Sequence, residues 1–191
     1  MSKPTLRRVA LGAGAVVVGV AAGIALGVFG TVDHAILELT LPLRHEDVIR
    51  QQSNEKEVDA ALIAAVIYSE SKFVDQTSDA GARGLMQITP EAAKEIERLS
   101  GGTTFELADL SDPEINIRYG TFLLRELMGR FDDDEVAALA AYNAGPSNVE
   151  EWGGSGLGLD DIPFPETRAY VEEVLDKRDA YHDEYQGELG Y

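Results

Sequence analysis

The chain has 191 residues, of which 45% are hydrophobic and 26% are charged, and its formal net charge is −18. This length and composition are typical of one folded domain with a short appendage, and they exclude a disordered chain. Cysteine is absent and the three histidines are scattered, so we predict no disulfide and no metal site. The acidic balance argues against nucleic acid as a partner, because phosphate binding needs a basic face.

The N-terminal segment is apolar and long enough to cross a membrane. Residues 9–29 carry no charge, and 21 helical residues at about 1.5 Å each span a hydrocarbon core of about 30 Å. Lys3, Arg7 and Arg8 precede this segment, so the positive-inside rule places residues 1–8 in the cytoplasm and the rest of the chain outside. We predict a single-pass anchor in the cell membrane, with a cleaved signal peptide as the alternative.

The anchor segment also carries glycines at the spacing of paired transmembrane helices. Gly19, Gly23 and Gly27 form a double G-x-x-x-G pattern. In an Ala/Gly-rich span this spacing often arises by chance, so the sequence leaves the oligomeric state open.

The pattern after the anchor segment is helical. Residues 30–43 are predicted as a linker and residues 44–191 as one folded domain. Alternating strand patterns are scarce, which indicates an all-α fold. Apolar periodicity and helix start signals, such as a threonine or aspartate followed by Pro-Glu, predict the helices. They cover about residues 46–54, 59–70, 89–101, 112–130, 134–142 and 165–186.

A carboxyl group lies at the end of the most apolar of these helices. Residues 62–67 read LIAAVI, and Glu70 follows three residues later. Ionising a carboxyl at the buried end of a core helix is costly, so partial burial raises its pKa and keeps it protonated near neutral pH. A general acid for a glycosidic oxygen needs this property. The alternative interpretation is a glutamate exposed at a helix end.

Two further polar clusters stand at the ends of apolar stretches. Gln87 ends a Gly-Leu-Met-Gln unit, and its amide suits sugar hydroxyl and acetamido groups. Tyr142 and Asn143 close an Ala-rich helix just before Gly145 and Pro146, which are ordinary helix stop signals. Each cluster alone also fits a plain turn or a plain helix end.

Together these motifs resemble glycoside hydrolase family 23. The order Glu-Ser, Gly-Leu-Met-Gln and Ala-Tyr-Asn-Ala-Gly is similar to that of its soluble lytic transglycosylase (SLT) type, over about residues 44–180. The surrounding residues that agree include Pro113, Asn116, Ile117, Gly120, Glu166, Thr167, Arg168, Tyr170 and Val171. The resemblance implies an all-α, lysozyme-like domain, related to goose lysozyme, with a deep glycan-binding cleft. One N-terminal transmembrane helix is expected to precede it.

The resemblance also implies roles for individual residues. Glu70 matches the single catalytic acid/base, and Tyr142 matches a tyrosine that orients its carboxyl. The substrate-binding positions match Ser71, Met86, Gln87, Asn143 and Tyr170. The implied reaction cuts the bond between N-acetylmuramic acid and N-acetylglucosamine in peptidoglycan strands and closes a 1,6-anhydro ring. It needs no metal and no organic cofactor.

Other functions remain open from the residues themselves. Asp75 and Asp79 follow Glu70, and a water-activating carboxylate there predicts a hydrolytic lysozyme instead. Loss of catalysis gives a peptidoglycan-binding module on the outer side of the membrane. A structural membrane protein is the remaining alternative, and it requires no particular residue at positions 70, 87 and 142.

Overall fold

The computed structural model describes residues 36–101 and 106–191. The chain divides into two compact units, Met1–Pro42 and Leu43–Tyr191. In the described part of the first unit, residues 36–40 are helical. The predicted anchor at residues 9–29 lies outside the described residues. Among those that are described, none of the helices combines the length and apolar character needed to cross a membrane.

The second unit is built from α-helices over its described residues. They are α1 (Glu46–Lys56), α2 (Ala60–Ser71), α3 (Pro90–Ser100), α4 (Pro113–Arg130), α5 (Glu135–Ala144), α6 (Pro146–Trp152), α7 (Pro165–Glu184) and α8 (Gln186–Leu189). Short 3₁₀ turns cover Leu107–Ser111 and Leu159–Asp161. Extended pairing in residues 36–101 and 106–191 is limited to two isolated bridges around Arg83. The predicted mainly helical fold is therefore confirmed.

Local capping explains where most of these helices begin. Asp59 accepts a hydrogen bond from the backbone N–H of Ala61 at 3.1 Å and starts α2. Thr89 caps α3 in the same way, and Pro90 takes the first helical position, where a missing N–H costs nothing. Because these signals act within a few residues, the sequence placed the helix starts correctly.

Helix α2 forms the centre of the domain. All residues from Ala60 to Ile67 are buried, so α2 is covered on every side rather than on one face. It packs mainly against α7 and also contacts α1. Full burial of each large aliphatic side chain, such as Leu62 or Ile63, contributes about 1.5–3 kcal/mol. Glu70 is thereby held at the end of the buried central helix.

The predicted helix stop at Gly145 is confirmed, but Pro146 also begins a helix that the sequence did not predict. Gly145 does end α5, where its φ of 90° lies outside the range of most residues. Pro146 instead occupies the first position of the seven-residue helix α6. A proline fits the first turn of a helix as well as the residue after one, so the local signal has two meanings.

Candidate active site

Glu70 lies in the last turn of α2 and is largely removed from water. Burial raises the pKa of its carboxyl from 4.5 to about 7, and the Tyr170 hydroxyl offsets a smaller part of that rise. The structure thus agrees with the expectation that the apolar helix makes this carboxyl a weak acid. At neutral pH about half of the molecules carry the proton, which suits a group that donates and then takes back a proton.

Two tyrosines from different helices surround the Glu70 carboxyl. Tyr142 comes from the last turn of α5, and Tyr170 comes from α7. Burial, followed by the negative charge of Glu70, raises the pKa of both phenols well above 10. The Tyr170 hydroxyl is close enough to act on Glu70, but it makes no hydrogen bond of standard geometry within the described residues. Both phenols are therefore neutral hydroxyl groups at the carboxyl.

The hydroxyl of Tyr142 is fixed by the chain segment 84–88. It donates a hydrogen bond of 2.8 Å to the carbonyl oxygen of Met86. The next residue, Gln87, has a φ of 47°, a left-handed conformation that is strained for its side chain. Its Nε2 donates to the carbonyls of Gly84 and Gln76, at 2.8 and 3.1 Å. The Gln87 side chain is therefore held close to its own backbone.

Ser71 and Met86 lie inside the domain rather than on a cleft wall. Ser71 is 7% exposed, and its hydroxyl donates to the carbonyl of Leu85 at 2.7 Å. Met86 is fully buried beside Gly120 of α4, where even a Cβ would come within 2.3 Å of the methionine sulfur. Both residues tie the 84–88 segment to its neighbours, and their contact with a substrate stays a prediction.

Asn143 lies on the surface next to Tyr142. Its Oδ1 accepts a hydrogen bond of 2.8 Å from the buried hydroxyl of Thr167 in α7. This bond fixes the direction of the side chain, because the NH₂ group is left as the free end of the amide. Asn143 can thus present two donors to a ligand without first losing side-chain freedom.

A groove of about 830 Å³ opens beside Tyr142 and Asn143. Its walls come from α3 and from the second half of α4, and its floor from residues 141–146. Its charged lining residues are three arginines and three glutamates: Arg98, Arg125, Arg130, Glu91, Glu95 and Glu126. This volume is within the range of ligand-binding pockets.

The arginines of the groove are paired within the protein. Arg98 Nε donates to Glu95 at 2.8 Å, and Arg130 contacts Glu150 at 2.6 Å. Exposed pairs of this kind contribute about 0–1 kcal/mol and exchange partners readily. Among the described residues, no group of three or more histidines and acids is placed to hold a metal ion.

Sequence reasoning gave no role to three polar residues that the structure places at the site. Gln76 donates to the carbonyl of Glu70 at 3.3 Å, Asn116 binds the backbone of Met86 at 2.8 Å, and Thr167 binds Asn143. Each contact joins residues far apart in the sequence or in an irregular loop, so no periodic pattern marks it. Asn116 and Thr167 are among the residues that match glycoside hydrolase family 23. This match was the signal in the sequence that could have identified them.

Comparison with known proteins places this chain in one group. The sequence profile of the family described as "Transglycosylase SLT domain" matches residues 47–162. The soluble lytic murein transglycosylase of Escherichia coli K12 is 34% identical over 165 residues, covering 82% of this chain and 25% of that protein. The membrane-bound lytic murein transglycosylase F of Desulfosudis oleivorans is 34% identical over 159 residues, covering 78% and 33%.

A solved structure gives the same result. An inactive Glu-to-Gln mutant of the lytic transglycosylase Slt from Pseudomonas aeruginosa aligns with a TM-score of 0.72 and 34% identity. The alignment covers 77% of this chain and 25% of that one. The chain thus spans only about a quarter to a third of the length of these relatives.

Proposed function

The chain belongs to the transglycosylase SLT domain family, and we propose that it is a peptidoglycan lytic transglycosylase with Glu70 as its single acid/base. Its substrate is the β-1,4 bond between N-acetylmuramic acid and N-acetylglucosamine. Its product carries a 1,6-anhydro ring, and no water is consumed. We place the glycan strand along the groove between α3 and α4, whose lining includes Tyr142 and Asn143 but not Glu70. In this arrangement the strand passes Asn143 before it reaches Glu70.

The burial of Glu70 carries this proposal. A pKa of about 7 leaves the carboxyl protonated in a large fraction of molecules at neutral pH, whereas an exposed glutamate would be almost fully ionised. The same group, once ionised, is basic enough to recover a proton. One carboxyl can therefore serve both steps, where many glycosidases use two.

The proposed reaction proceeds in two proton transfers. The Glu70 carboxyl gives its proton to the glycosidic oxygen, and the bond between that oxygen and the sugar C1 breaks with its electron pair going to the oxygen. The acetamido group of the substrate stabilises the cation-like C1. The sugar 6-hydroxyl oxygen then bonds to C1 and gives its proton to the Glu70 carboxylate. The carboxyl returns to its starting state and the ring is closed.

The two tyrosines provide neutral hydroxyls near Glu70, with different roles. The hydroxyls of Tyr142 and Tyr170 remain neutral because their pKa values lie well above 10. The Tyr170 hydroxyl acts on the carboxyl and stabilises the transient carboxylate without supplying a competing acid. The Tyr142 hydroxyl is bonded to the Met86 carbonyl and does not donate to Glu70. We assign both residues to the control of Glu70, and Gln87 and Asn143 to contacts with sugar hydroxyl or acetamido groups.

The direct test is mass spectrometry of the products from purified sacculi treated with the full chain. Muropeptides ending in 1,6-anhydro-N-acetylmuramic acid are expected. Glu70→Gln should reduce product by about 10³-fold or more, because glutamine keeps the shape but cannot transfer a proton. The matched control is Glu172→Gln, an exposed position on α7, which should retain full activity.

The product mass also decides against the alternatives. Reducing-end products, heavier by one water, would identify a hydrolytic enzyme and direct attention to Asp75 and Asp79, which lie in the exposed loop 74–80. Binding to sacculi without any product would identify a non-catalytic module. Full activity in Glu70→Gln would remove the proposed role of this carboxyl.

We further propose that residues 9–29 anchor the domain to the outer face of the cell membrane. Support comes from the uncharged run and its preceding cations, and from a relative whose name is a membrane-bound transglycosylase. Such an anchor keeps the enzyme near the cell wall despite its acidic charge, and so replaces affinity by local concentration. The intact chain should remain in membranes after an alkaline wash. A shorter, soluble product would indicate a cleaved signal peptide.

A further inference from the structure

Two consecutive peptides, Leu85–Met86 and Met86–Gln87, are held by side chains from three helices. In the first peptide, Ser71 of α2 donates to the carbonyl of Leu85 at 2.7 Å, and the backbone N–H of Met86 donates to Oδ1 of Asn116 in α4 at 2.8 Å. In the second peptide, the carbonyl of Met86 accepts from Tyr142 of α5, also at 2.8 Å. The position of Tyr142, and of the helix end that carries Glu70, therefore depends on these two peptides.

Asn116 is fully buried, and each polar atom of its amide has a partner. Besides accepting from Met86, it donates through Nδ2 to the carbonyls of Arg83 and Leu110, both at 2.9 Å. An acceptor that faces an N–H and a nitrogen that faces two carbonyls allow only one orientation of the amide. The side chain thus connects α4 to the 3₁₀ turn and to both ends of the segment 83–86.

Two glycines make room for this arrangement. A Cβ at Gly84 would come within 2.1 Å of Nδ2 of Asn116, and within 2.4 Å of the Leu110 carbonyl. Gly120, one turn along α4, lets Met86 lie directly on the helix backbone. Since residues four apart share a helix face, Asn116 and Gly120 form one surface against which the segment packs.

We propose that Asn116 is a positioning residue of the active site, whose buried amide fixes the Leu85–Met86 peptide and thereby holds the Tyr142 hydroxyl in place beside Glu70. The inference rests on the proposed function for its effect on catalysis. Asn116 touches neither Glu70 nor the groove. It acts through Met86 and Tyr142.

The physical consequence concerns the proton on Glu70. The titratable groups that act on this carboxyl are Tyr142 of α5 and Tyr170 of α7. As long as the Tyr142 hydroxyl is committed to the Met86 carbonyl, its hydrogen does not point at the carboxylate. If the peptide shifts, the hydroxyl is released and can donate to Glu70. Donation to the ionised form lowers the pKa of the carboxyl.

The test compares Asn116→Leu with Thr121→Val. Leucine has a similar volume and adds no charge, but it can neither accept from the Met86 N–H nor donate to the Arg83 and Leu110 carbonyls. Thr121 is also fully buried on α4, and its hydroxyl has no hydrogen-bond partner within the described residues, so valine there is a matched control. For Asn116→Leu we expect kcat to fall by about 10–100-fold with KM changed less than about threefold. For Thr121→Val we expect both constants to be unchanged.

The decisive measurement is the titration of the Glu70 carboxyl, by NMR of carbon-13-labelled glutamate in the full chain without substrate. Asn116→Leu should lower this pKa by about 0.5 unit or more, and the Thr121→Val control should leave it unchanged. In a Tyr142→Phe background, Asn116→Leu should cause no further change, because both act on one hydroxyl. Gly120→Ala, which displaces Met86, provides a second route if Asn116→Leu fails to fold, and the same downward shift is expected.

The outcomes separate the two claims. An unchanged Glu70 titration in folded Asn116→Leu or Gly120→Ala overturns the positioning role, even if the protein is active. An additive effect on top of Tyr142→Phe overturns it as well. Absence of any product from sacculi would reject the proposed function, while the NMR titration would still decide whether Asn116 positions Tyr142.

Discussion

The two sides of the candidate active site are built in opposite ways. At the segment 84–88, buried polar groups such as those of Ser71 and Asn116 bond to backbone within the protein. In the groove, charged side chains pair on the surface, with Arg98 66% and Glu95 49% exposed. We call the first region, whose polar groups are buried and hydrogen-bonded, the dry side. We call the second region, whose charged side chains are exposed to solvent, the wet side. Proposed proton transfer requires a carboxyl held away from water, whereas proposed glycan binding requires polar groups that are exposed to the ligand, and one fold supplies both.

The largest expected effect is on the pH dependence of activity, which tests whether the Glu70 carboxyl on the dry side supplies the proton for the reaction. Because the pKa of Glu70 is about 7, the protonated form that starts the reaction is lost above that pH. We expect kcat/KM on sacculi to fall by about tenfold for each pH unit above 7. An activity that stays constant from pH 7 to 9 would contradict this, and it would point to another acid. The profile is measured with initial rates at constant ionic strength.

Stability should show the cost of burying that carboxyl. The unfolded chain loses the Glu70 proton near pH 4.5 and the folded domain near 7, so the folded state binds more protons in between. The free energy of unfolding therefore falls as pH rises through this window. At pH 8, Glu70→Gln should be more stable than the native chain by about 2–3 kcal/mol.

The measurement is thermal unfolding at pH 4.5 and at pH 8. The gain should raise the melting temperature by about 5–10 °C at pH 8 and nearly vanish at pH 4.5. Glu172→Gln, an exposed glutamate on α7, should show no such dependence. Equal melting temperatures for Glu70→Gln and the native chain at both pH values would mean that Glu70 is well solvated.

A smaller effect is expected from the Tyr142 hydroxyl. Tyr142→Phe leaves the Met86 carbonyl without its donor, which should cost about 1 kcal/mol of stability. It also releases the segment 84–88, which is bonded to Ser71 next to Glu70, and we expect kcat to fall by about tenfold because the carboxyl is less well positioned. The control is Tyr68→Phe, which keeps the aromatic ring beneath Lys177. If both variants behave alike in steady-state kinetics, Tyr142 has no special role.

The smallest effect should come from the wet side. Arg98→Ala breaks an exposed pair and should change stability by less than about 1 kcal/mol. If the groove binds glycan, KM should rise by about two- to threefold with kcat unchanged. Arg118→Ala, which breaks the similar Arg118–Glu114 pair outside the groove, should leave KM as it was. A large loss of kcat in Arg98→Ala would mean that the two sides are not independent.

Part of the site could be predicted because its signals are local. The apolar run before Glu70 predicted a core helix, and burial of that helix raises the pKa of the carboxyl as expected. The start of α3 at Pro90 and the end of α5 at Gly145 followed from capping within a few residues. Such features depend only on neighbouring residues in the sequence, so they can be predicted without knowing which helices pack together.

Other features were decided when distant segments met. A proline at position 146 is compatible both with the end of α5 and with the start of another helix. In the folded domain it starts α6. Ser71 and Met86 stay predicted substrate contacts, and their environment in the domain is set by Leu85, 14 positions after Ser71, and by Gly120 of α4. A side chain's surroundings depend on which helices pack together, and motif order does not contain that information.

The helical fold, the starts of most helices and the apolar helix that ends in Glu70 follow from the amino-acid sequence, because propensity, capping and apolar run length are local properties. The bond between Asn116 and the Met86 backbone, and the meeting of Tyr142 and Tyr170 near Glu70, follow from the packing of the helices. These contacts join residues 30 to 100 positions apart. Their geometry follows from helix packing, in which an ångström decides whether a hydrogen bond forms.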